Sequence, residues 1–448
     1  MTDCMRGSRL TILGLGLVSR SLINLLLQGK VCPIDDIRVV DMDDEAFSYF
    51  RSLGGKKENF LKICLDSKNY RVIFNGMKKG DYLIRLADEC DDRILVKECM
   101  ERGIHYICTS DGVFPDMASG EAFLYRTHFY QYKELVERYR GCATSVLQFG
   151  MNPGLISILT KKALTLIVEN DDGDYVAQNR DRLRQLVKTG DFPLLAKELE
   201  VTAFVESDLD LTQTDIKEDK NTIYNTWNIN DFIEEMNERS IIKLGSLVSL
   251  DSHLKRLGVL PDRIYYYNKH DGTLVFDAAG KEMPTRAYSG GETFTGFLDA
   301  HEEIFSIHDY YTIRDSEGEI AYAPSVMFVY RPCELAISSI NRMDSERHHI
   351  GEYQFMTVTN DRMTRGTESV GITVEGNNFS PVYTGVAPDY DKEGFETPTV
   401  LAVSVSVYAA MCYVSAHPDD GILYPEFLDP NEILSYTEKF MPVISKKL

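Results

Sequence analysis

Over the first 150 residues, apolar and polar positions alternate between short strand-like runs and helical stretches. Arg9 to Leu13 is short and apolar and runs into Gly14-Leu15-Gly16-Leu17-Val18-Ser19, after which Leu22, Ile23, Leu25, Leu26 and Leu27 repeat with a helical period. Ile37 to Asp41, Tyr70 to Phe74, Gly80 to Leu86, Tyr106 to Thr109 and Ser145 to Phe149 read as further strands of the buried parallel kind, and Ala87 to Arg102 reads as a helix. Strands alternating with helices predict an α/β domain over 1–150, built on a doubly wound parallel sheet of Rossmann type.

The pattern changes after Asn152-Pro153-Gly154. Residues 155–200 read as helical, with acidic breaks from Glu169 to Asp174. Beyond them, Val201 to Glu206, Ile264 to Tyr267, Thr293 to Phe297, Tyr310 to Ile313, Val326 to Tyr330, Tyr353 to Val358 and Val370 to Glu375 read as strands. This predicts a second, α+β domain over 151–395 with a mainly antiparallel sheet. The segment 396–448 reads as a helical tail that packs back on the first domain. Within it, Thr397 to Ala416 is uncharged and long enough to raise the question of a membrane span. Its serines and tyrosines and its acidic flanks favour a buried helix instead.

Composition narrows the function. Of 448 residues, 48 Lys and Arg stand against 69 Asp and Glu, a formal charge of −21. That excludes a partner held mainly through phosphates, so no nucleic acid is expected. Hydrophobic residues make up 44% of the chain, enough for a folded core. The nine cysteines are odd in number and form no CxxC, which points to reduced thiols in the cytoplasm, with no membrane partner. His301-Glu302-Glu303 begins like a zinc-protease helix but lacks a second histidine four residues on, so no metal is expected. His348-His349 lies in a polar stretch and reads as surface.

The first chemical motif is the turn after the first strand. In a GxGxxG turn the first glycine makes the turn, the second lets a pyrophosphate approach the backbone, and the third lets helix and strand pack closely. Gly14 and Gly16 fill the first two places and Ser19, also small, the third. Asp41 ends the next strand, where an acid binds a ribose 2′-hydroxyl and repels a 2′-phosphate. The expected cofactor is therefore NAD rather than NADP.

The second motif is an aromatic and acidic set. The sole tryptophan lies in Asn225-Thr226-Trp227, with Glu234-Glu235 after it, and Glu206, His301-Glu302-Glu303 and Thr367-Glu368-Ser369 lie on or near apolar strands. A tryptophan face ringed by carboxylates suits an ammonium group, which the ring attracts and the acids neutralise. Singly, each acid is more often solvated, and a lone tryptophan is more often part of the core.

Asn152-Pro153-Gly154, Asn225-Thr226-Trp227, His301-Glu302-Glu303, Tyr322-Ala323-Pro324-Ser325-Val326 with Tyr330-Arg331-Pro332, and Gly366-Thr367-Glu368-Ser369-Val370-Gly371 fall in the order seen in bacterial homospermidine synthase. The chain resembles a divergent member of that family over nearly its whole length, much of 160–200 apart. The resemblance implies a Rossmann domain joined to a saccharopine-dehydrogenase-like domain that binds substrate and makes a homodimer, with tightly held NAD. It implies an aminobutyl transfer that joins two putrescines, or spermidine and putrescine, into homospermidine. It makes Trp227 the cation–π residue, with Glu235, Asn152, Glu368 and Asp111 binding substrate. Asn152 then stands where cofactor and substrate meet. Glu206, His301 and Glu303 become the catalytic set, in which Glu206 or Glu303 takes a proton from the attacked amine and His301 relays it. Ser369-Val370 departs from the family's leucine-glycine step, and Glu302 from its small middle residue.

Two other readings stay open. A carboxynorspermidine- or saccharopine-type NAD(P)H-dependent reductase needs an arginine to clamp a carboxylate, for which Arg331 or Arg286 is available. A non-catalytic dinucleotide-binding sensor predicts NAD binding without product.

Overall fold

The structure, a computed structural model, describes residues 7–87, 90–117, 124–346, 353–391 and 396–448; His348 and His349 lie outside these. The chain forms two compact units, Met1–Leu155 with Val400–Phe440, and Ile156–Thr399 with Met441–Leu448.

The first unit is built on a seven-stranded sheet in the order Ile422–Leu423, Ser145–Val146, His105–Cys108, Tyr82–Arg85, Leu10–Leu13, Ile37–Asp41 and Phe60–Lys62. Every pairing is parallel. Leu10–Leu13, Tyr82–Arg85 and His105–Cys108 are buried at every position, so each strand is covered on both faces rather than alternating between core and solvent, as parallel strands in such sheets are. The strand order runs one way from Leu10–Leu13 through Ile37–Asp41 and the other way from Tyr82–Arg85. The switch point therefore lies beside the end of Leu10–Leu13, where ligands of such sheets bind.

Two expectations are corrected. Tyr70–Phe74 is a 3-10 helix, not a strand. Its apolar run reads alike in either form, but Asp66 Oδ1 accepts from the N–H groups of Lys68 and Asn69 at 2.8 Å each and turns the chain. Arg38 Nη1 then donates to the carbonyls of Ile73 and Asn75 at 2.8 and 3.0 Å, which a side chain satisfies in place of a neighbouring strand. Phe60–Lys62 takes the sheet edge instead. Likewise Tyr310 and Tyr311 end the helix Glu303–Tyr311, and only Ile313–Arg314 is extended. The Tyr311 ring packs 4.7 Å from that of Phe204, an anchor that a helical turn supplies.

The uncharged segment forms the helix Pro398–Ala416, most of it buried inside the protein. Its Ser404 Oγ lies 2.7 Å from Ser21 Oγ of the helix Leu17–Gln28. The eight described cysteines are free thiols.

In the second unit, three helices, Leu155–Asn170, Asp174–Thr189 and Phe192–Glu198, lead into a ten-stranded mixed sheet. Its centre is Val201–Asp210, parallel to Ser325–Arg331 on one side and antiparallel to Glu368–Gly376 on the other. The other pairings are antiparallel. Ala203, Val205 and Leu209 point into an apolar core shared with Met327 and Val329. Because strand side chains alternate, Glu206, Asp208 and Asp210 point to the opposite face.

Candidate functional site

Each unit draws together one group of the sequence-derived residues. In the first, Gly14 has φ +82°, and a Cβ there would stand 2.8 Å from Ala87 Cβ. Only glycine fits both the conformation and the space. Gly16 caps the helix Leu17–Gln28 without a side-chain cap, and no acid sits in the first turn. A Cβ on Gly16 would meet nothing within 4 Å. Free helix N–H groups beside open space suit an anion such as a pyrophosphate. Ser19 is fully buried and donates its hydroxyl to the Gly14 carbonyl at 2.6 Å, so it ties the turn to the helix. Asp41 reaches back to the loop, accepting from Leu15 N–H at 2.6 Å through Oδ2 and from Asp43 N–H at 2.8 Å through Oδ1. Gly14, Gly16, Ser19 and Asp41 are thus one constellation, and its uncapped helix end fits a dinucleotide.

Asp111 lies in the same unit, accepting from Tyr132 at 2.7 Å and hydrogen-bonded to His128 Nδ1. Asn152 is half-buried in a tight turn in which Gly150 N–H donates to Pro153 O at 2.7 Å. A Cβ at Gly154 would stand 2.2 Å from Gly150 O, so the Asn-Pro-Gly turn requires its glycine. Arg85, which no sequence motif marks, is fully buried, donating to Asp92 Oδ1 at 2.8 Å and to the Ala87 carbonyl at 2.9 Å. Burial pushes the Asp92 carboxyl up to about 6 against the pull of Arg85.

The second unit holds the acids and the tryptophan. Register places Glu206 beside Phe328, Asp208 beside Tyr330, and Asp210 beside Glu368, while Asp299 pairs with Phe328 from the far side. Paired residues share a face, so Glu206, Asp208, Asp210, Asp299, Glu368, Phe328 and Tyr330 all line one surface of the sheet. The strand containing Asp299 then delivers His301 and Glu303. His301 Nδ1 bonds Glu303 and stands 3.5 Å from Glu302; its Nε2 stands 3.9 Å from Glu235 on the helix Ile229–Asn237. The Glu206 carboxyl lies near enough to that of Glu303 to interact with it. The half-buried Trp227 donates its Nε1–H to the Tyr330 hydroxyl at 3.0 Å and meets Phe232 edge-on. Glu206, Trp227, Glu235, His301, Glu303 and Glu368 are therefore gathered within one unit.

Asp208, Asp210 and Asp299 are not among the residues that the sequence alone singles out. The signal was present in Glu206-Ser207-Asp208-Leu209-Asp210, where acids recur at every second position. A Cβ at Gly280 would fall 1.6 Å from Asp299 Oδ1, so glycine there makes room for the carboxylate. Asp210 is satisfied by Thr212 N–H at 2.8 Å and the Thr226 hydroxyl at 2.9 Å. By contrast, Asp208 Oδ1, Glu368 Oε2 and both oxygens of Asp299 are buried without a hydrogen-bond partner among the described residues.

Charges follow from this crowding. Burial, reinforced by Asp210, holds the Asp208 carboxyl well above the carboxylate range. Burial does the same to Glu368, reinforced by Asp208 and Asp210, and to Asp299 against the pull of His301. Glu235 is raised by burial and by Asp299 and Glu302. For His301, burial disfavours the cation, but Glu303, Glu302 and Glu235 outweigh it and hold the imidazole protonated well above its ordinary value. Glu303 is pushed up by burial, yet the His301 charge and hydrogen bond draw it net below its ordinary value. The ligand atoms of His301, Glu302 and Glu303 lie within 4.8 Å of one another, the span of a metal ion's ligands.

Residues 10–139 match the saccharopine dehydrogenase NADP binding domain. The chain is 23% identical to homospermidine synthase of Blastochloris viridis, covering 97% of this chain and 90% of that one. It is 21% identical to homospermidine synthase of Mesorhizobium japonicum, covering 85% and 79%. Homospermidine synthase of Legionella pneumophila, solved in complex with NAD, superposes with a TM-score of 0.84 at 20% identity, covering 99% and 92%. Saccharopine dehydrogenase (L-Glu forming) of Saccharomyces cerevisiae superposes with a TM-score of 0.55 at 11% identity, covering 99% and 100%. The chain is thus similar in sequence to homospermidine synthases along nearly its whole length, and it carries the fold of the Legionella enzyme.

Proposed function

We propose that this protein is a homospermidine synthase, a cytoplasmic homodimer that joins two putrescines, or spermidine and putrescine, into homospermidine with loss of ammonia. The observation that carries this reading is the acidic sheet face with its tryptophan. Asp208, Asp299 and Glu368 are buried carboxyls with unpartnered oxygens, and among the described residues Asp208, Asp210, Asp299 and Glu368 form no ion pair with Lys or Arg. Such acids ionise at little cost only when a cation arrives with them. A polyamine brings several.

Spacing supports the same reading. Glu206, Asp208 and Asp210 recur every second residue along a strand, a step of about 6.6 Å, comparable with an extended four-carbon chain ended by two nitrogens. A diamine spans one step and a triamine two.

Bound NAD would supply a resident hydride carrier, so that oxidation of one amine to an imine, exchange of ammonia for the second amine, and reduction of the new imine close without net redox change. The helix end at Gly16 would hold its pyrophosphate and Asp41 its ribose. Trp227 and Glu235 hold the distal ammonium. The proton of the reacting amine passes to the Glu206–Glu303 pair, and His301, protonated between Glu303 and Glu235, relays it by releasing its Nε2 proton towards Glu235 as Nδ1 takes one from Glu303.

A reductase of carboxylated substrates fits less well. Arg331 is engaged by Glu334 and by the Thr295 carbonyl at 3.0 Å, and Arg286 is exposed, so the acidic face would repel a carboxylate with nothing to clamp it. Incubating the purified protein with putrescine and NAD should yield homospermidine and ammonia by mass spectrometry. NAD binding without product would leave a sensor, and consumption of NADPH with an amino-acid semialdehyde would favour the reductase.

A further inference from the structure

Leu15, between Gly14 and Gly16, has both polar atoms of its backbone held by charged side chains. Its N–H donates to Asp41 Oδ2 at 2.6 Å, and its carbonyl accepts from Arg20 Nε at 3.1 Å. The other edge of Arg20 is engaged too, since Nη1 and Nη2 both donate to Glu45 Oε1 at 3.1 Å. The guanidinium also lies over the Tyr49 ring, 4.7 Å from its centre. The chain leaving the second strand reads Asp41-Met42-Asp43-Asp44-Glu45, and of these acids Glu45 is the one that meets the guanidinium.

In this fold an acid at the end of the second strand takes a ribose 2′-hydroxyl, whereas an arginine nearby accommodates a 2′-phosphate. Both are present, and the matching domain is described as NADP binding. We propose that Arg20 is a latent 2′-phosphate ligand, kept engaged by Glu45, so that selectivity for NAD is set by Glu45, which holds the arginine, together with Asp41, which shares the Leu15 backbone with it. The proposal rests on the dinucleotide reading of the glycine loop. A guanidinium already forked onto a carboxylate has little charge to offer a phosphate, and Asp41 repels the same group. Removing the Glu45 charge weakens the hold on the Nη edge while Nε stays on the Leu15 carbonyl, so a phosphate can compete for the donor fork without dismantling the loop.

The test is equilibrium titration of the purified full chain with NAD and with NADP by calorimetry. The unaltered protein binds NAD at least about tenfold tighter than NADP. Glu45 is exposed, so Glu45→Gln keeps the fold, and it should tighten NADP about threefold while leaving NAD nearly unchanged. Asp41→Asn with Glu45→Gln should shift the NADP-to-NAD ratio at least about tenfold, and adding Arg20→Gln should erase that shift. A double variant that discriminates as the unaltered protein does, or a shift that survives Arg20→Gln, overturns the proposal. Binding of neither dinucleotide overturns the dinucleotide reading and this inference with it. Failure to make homospermidine by a protein that passes the titration counts against the synthase reading alone.

Discussion

The indole Nε1–H of Trp227 is bonded to the hydroxyl of Tyr330 at 3.0 Å, and Tyr330 stands in register with Asp208 on the neighbouring strand. The tryptophan is thereby tethered to the acidic sheet face by a tyrosine rather than by its own element. Tyr330 is nearly fully buried and stacks at 11° on Phe328, so its position is set by the sheet. An ammonium placed on the indole is consequently placed relative to Asp208 as well.

Trp227→Ala should lower kcat/KM for putrescine roughly 10- to 30-fold, the size of one desolvated cation–π contact. Tyr330→Phe keeps the indole but cuts its tether, and should raise KM several-fold with a smaller change in kcat. Steady-state kinetics checks both. Unchanged KM and kcat in Trp227→Ala would remove the tryptophan from the site.

Glu303→Gln should leave putrescine binding while slowing the chemical step about 10²- to 10⁴-fold, the usual contribution of a general base. Single-turnover formation of NADH, followed by absorbance after mixing with putrescine, reads the step directly. Normal NADH formation would sink the assignment.

The buried acids set a pH dependence whose sign is fixed. Asp208, Asp299, Glu235 and Glu368 are raised above their ordinary values of 3.8 or 4.5, so the folded state binds protons that the unfolded chain has lost. Stability they contribute is present below those ordinary values and is lost as pH rises through the raised ones. His301, raised above 6.5, acts in the same direction, and Glu303, lowered, acts oppositely only at acid pH. The melting temperature of the protein without polyamine should therefore fall as pH rises above the ordinary carboxyl range, and putrescine should restore it by an increment that grows with pH. A putrescine shift that is flat or shrinks with pH would mean that these acids do not hold the cation.

Asp210 stands two strand steps from Glu206 and is expected to meet only the third nitrogen of a longer polyamine. Asp210→Asn should weaken homospermidine or spermidine as competitive inhibitors about tenfold and putrescine KM much less. Equal losses for diamine and triamine would contradict the spacing argument.

The sequence discloses the parallel sheet because its strands are short, mainly apolar runs set between helical stretches, and it discloses the glycine turn because Gly14 and Gly16 follow one of them. Tyr70 to Phe74 misleads for the same reason, as an apolar run is ambiguous until Asp66 and Arg38 decide where its backbone bonds go. Glu206, Trp227, Glu235, His301, Glu303 and Glu368 are legible as types suited to an ammonium. Their convergence is not, because it depends on pairings such as Glu206 with Phe328 and Asp210 with Glu368, made across 122 and 158 positions. Asp299 escapes notice because its meaning depends on the space left by Gly280, nineteen residues earlier.

Val201–Asp210 presents Ala203, Val205 and Leu209 to the core and Glu206, Asp208 and Asp210 to the opposite face. Inserting or deleting one residue in this strand would exchange the two sets, driving three carboxylates into oil and a row of aliphatic side chains onto the polar surface. Such a chain would fail to fold before it failed to bind. Length changes in this segment are thus removed as folding failures, and descendants of this gene can vary the acids one at a time but cannot slide them together.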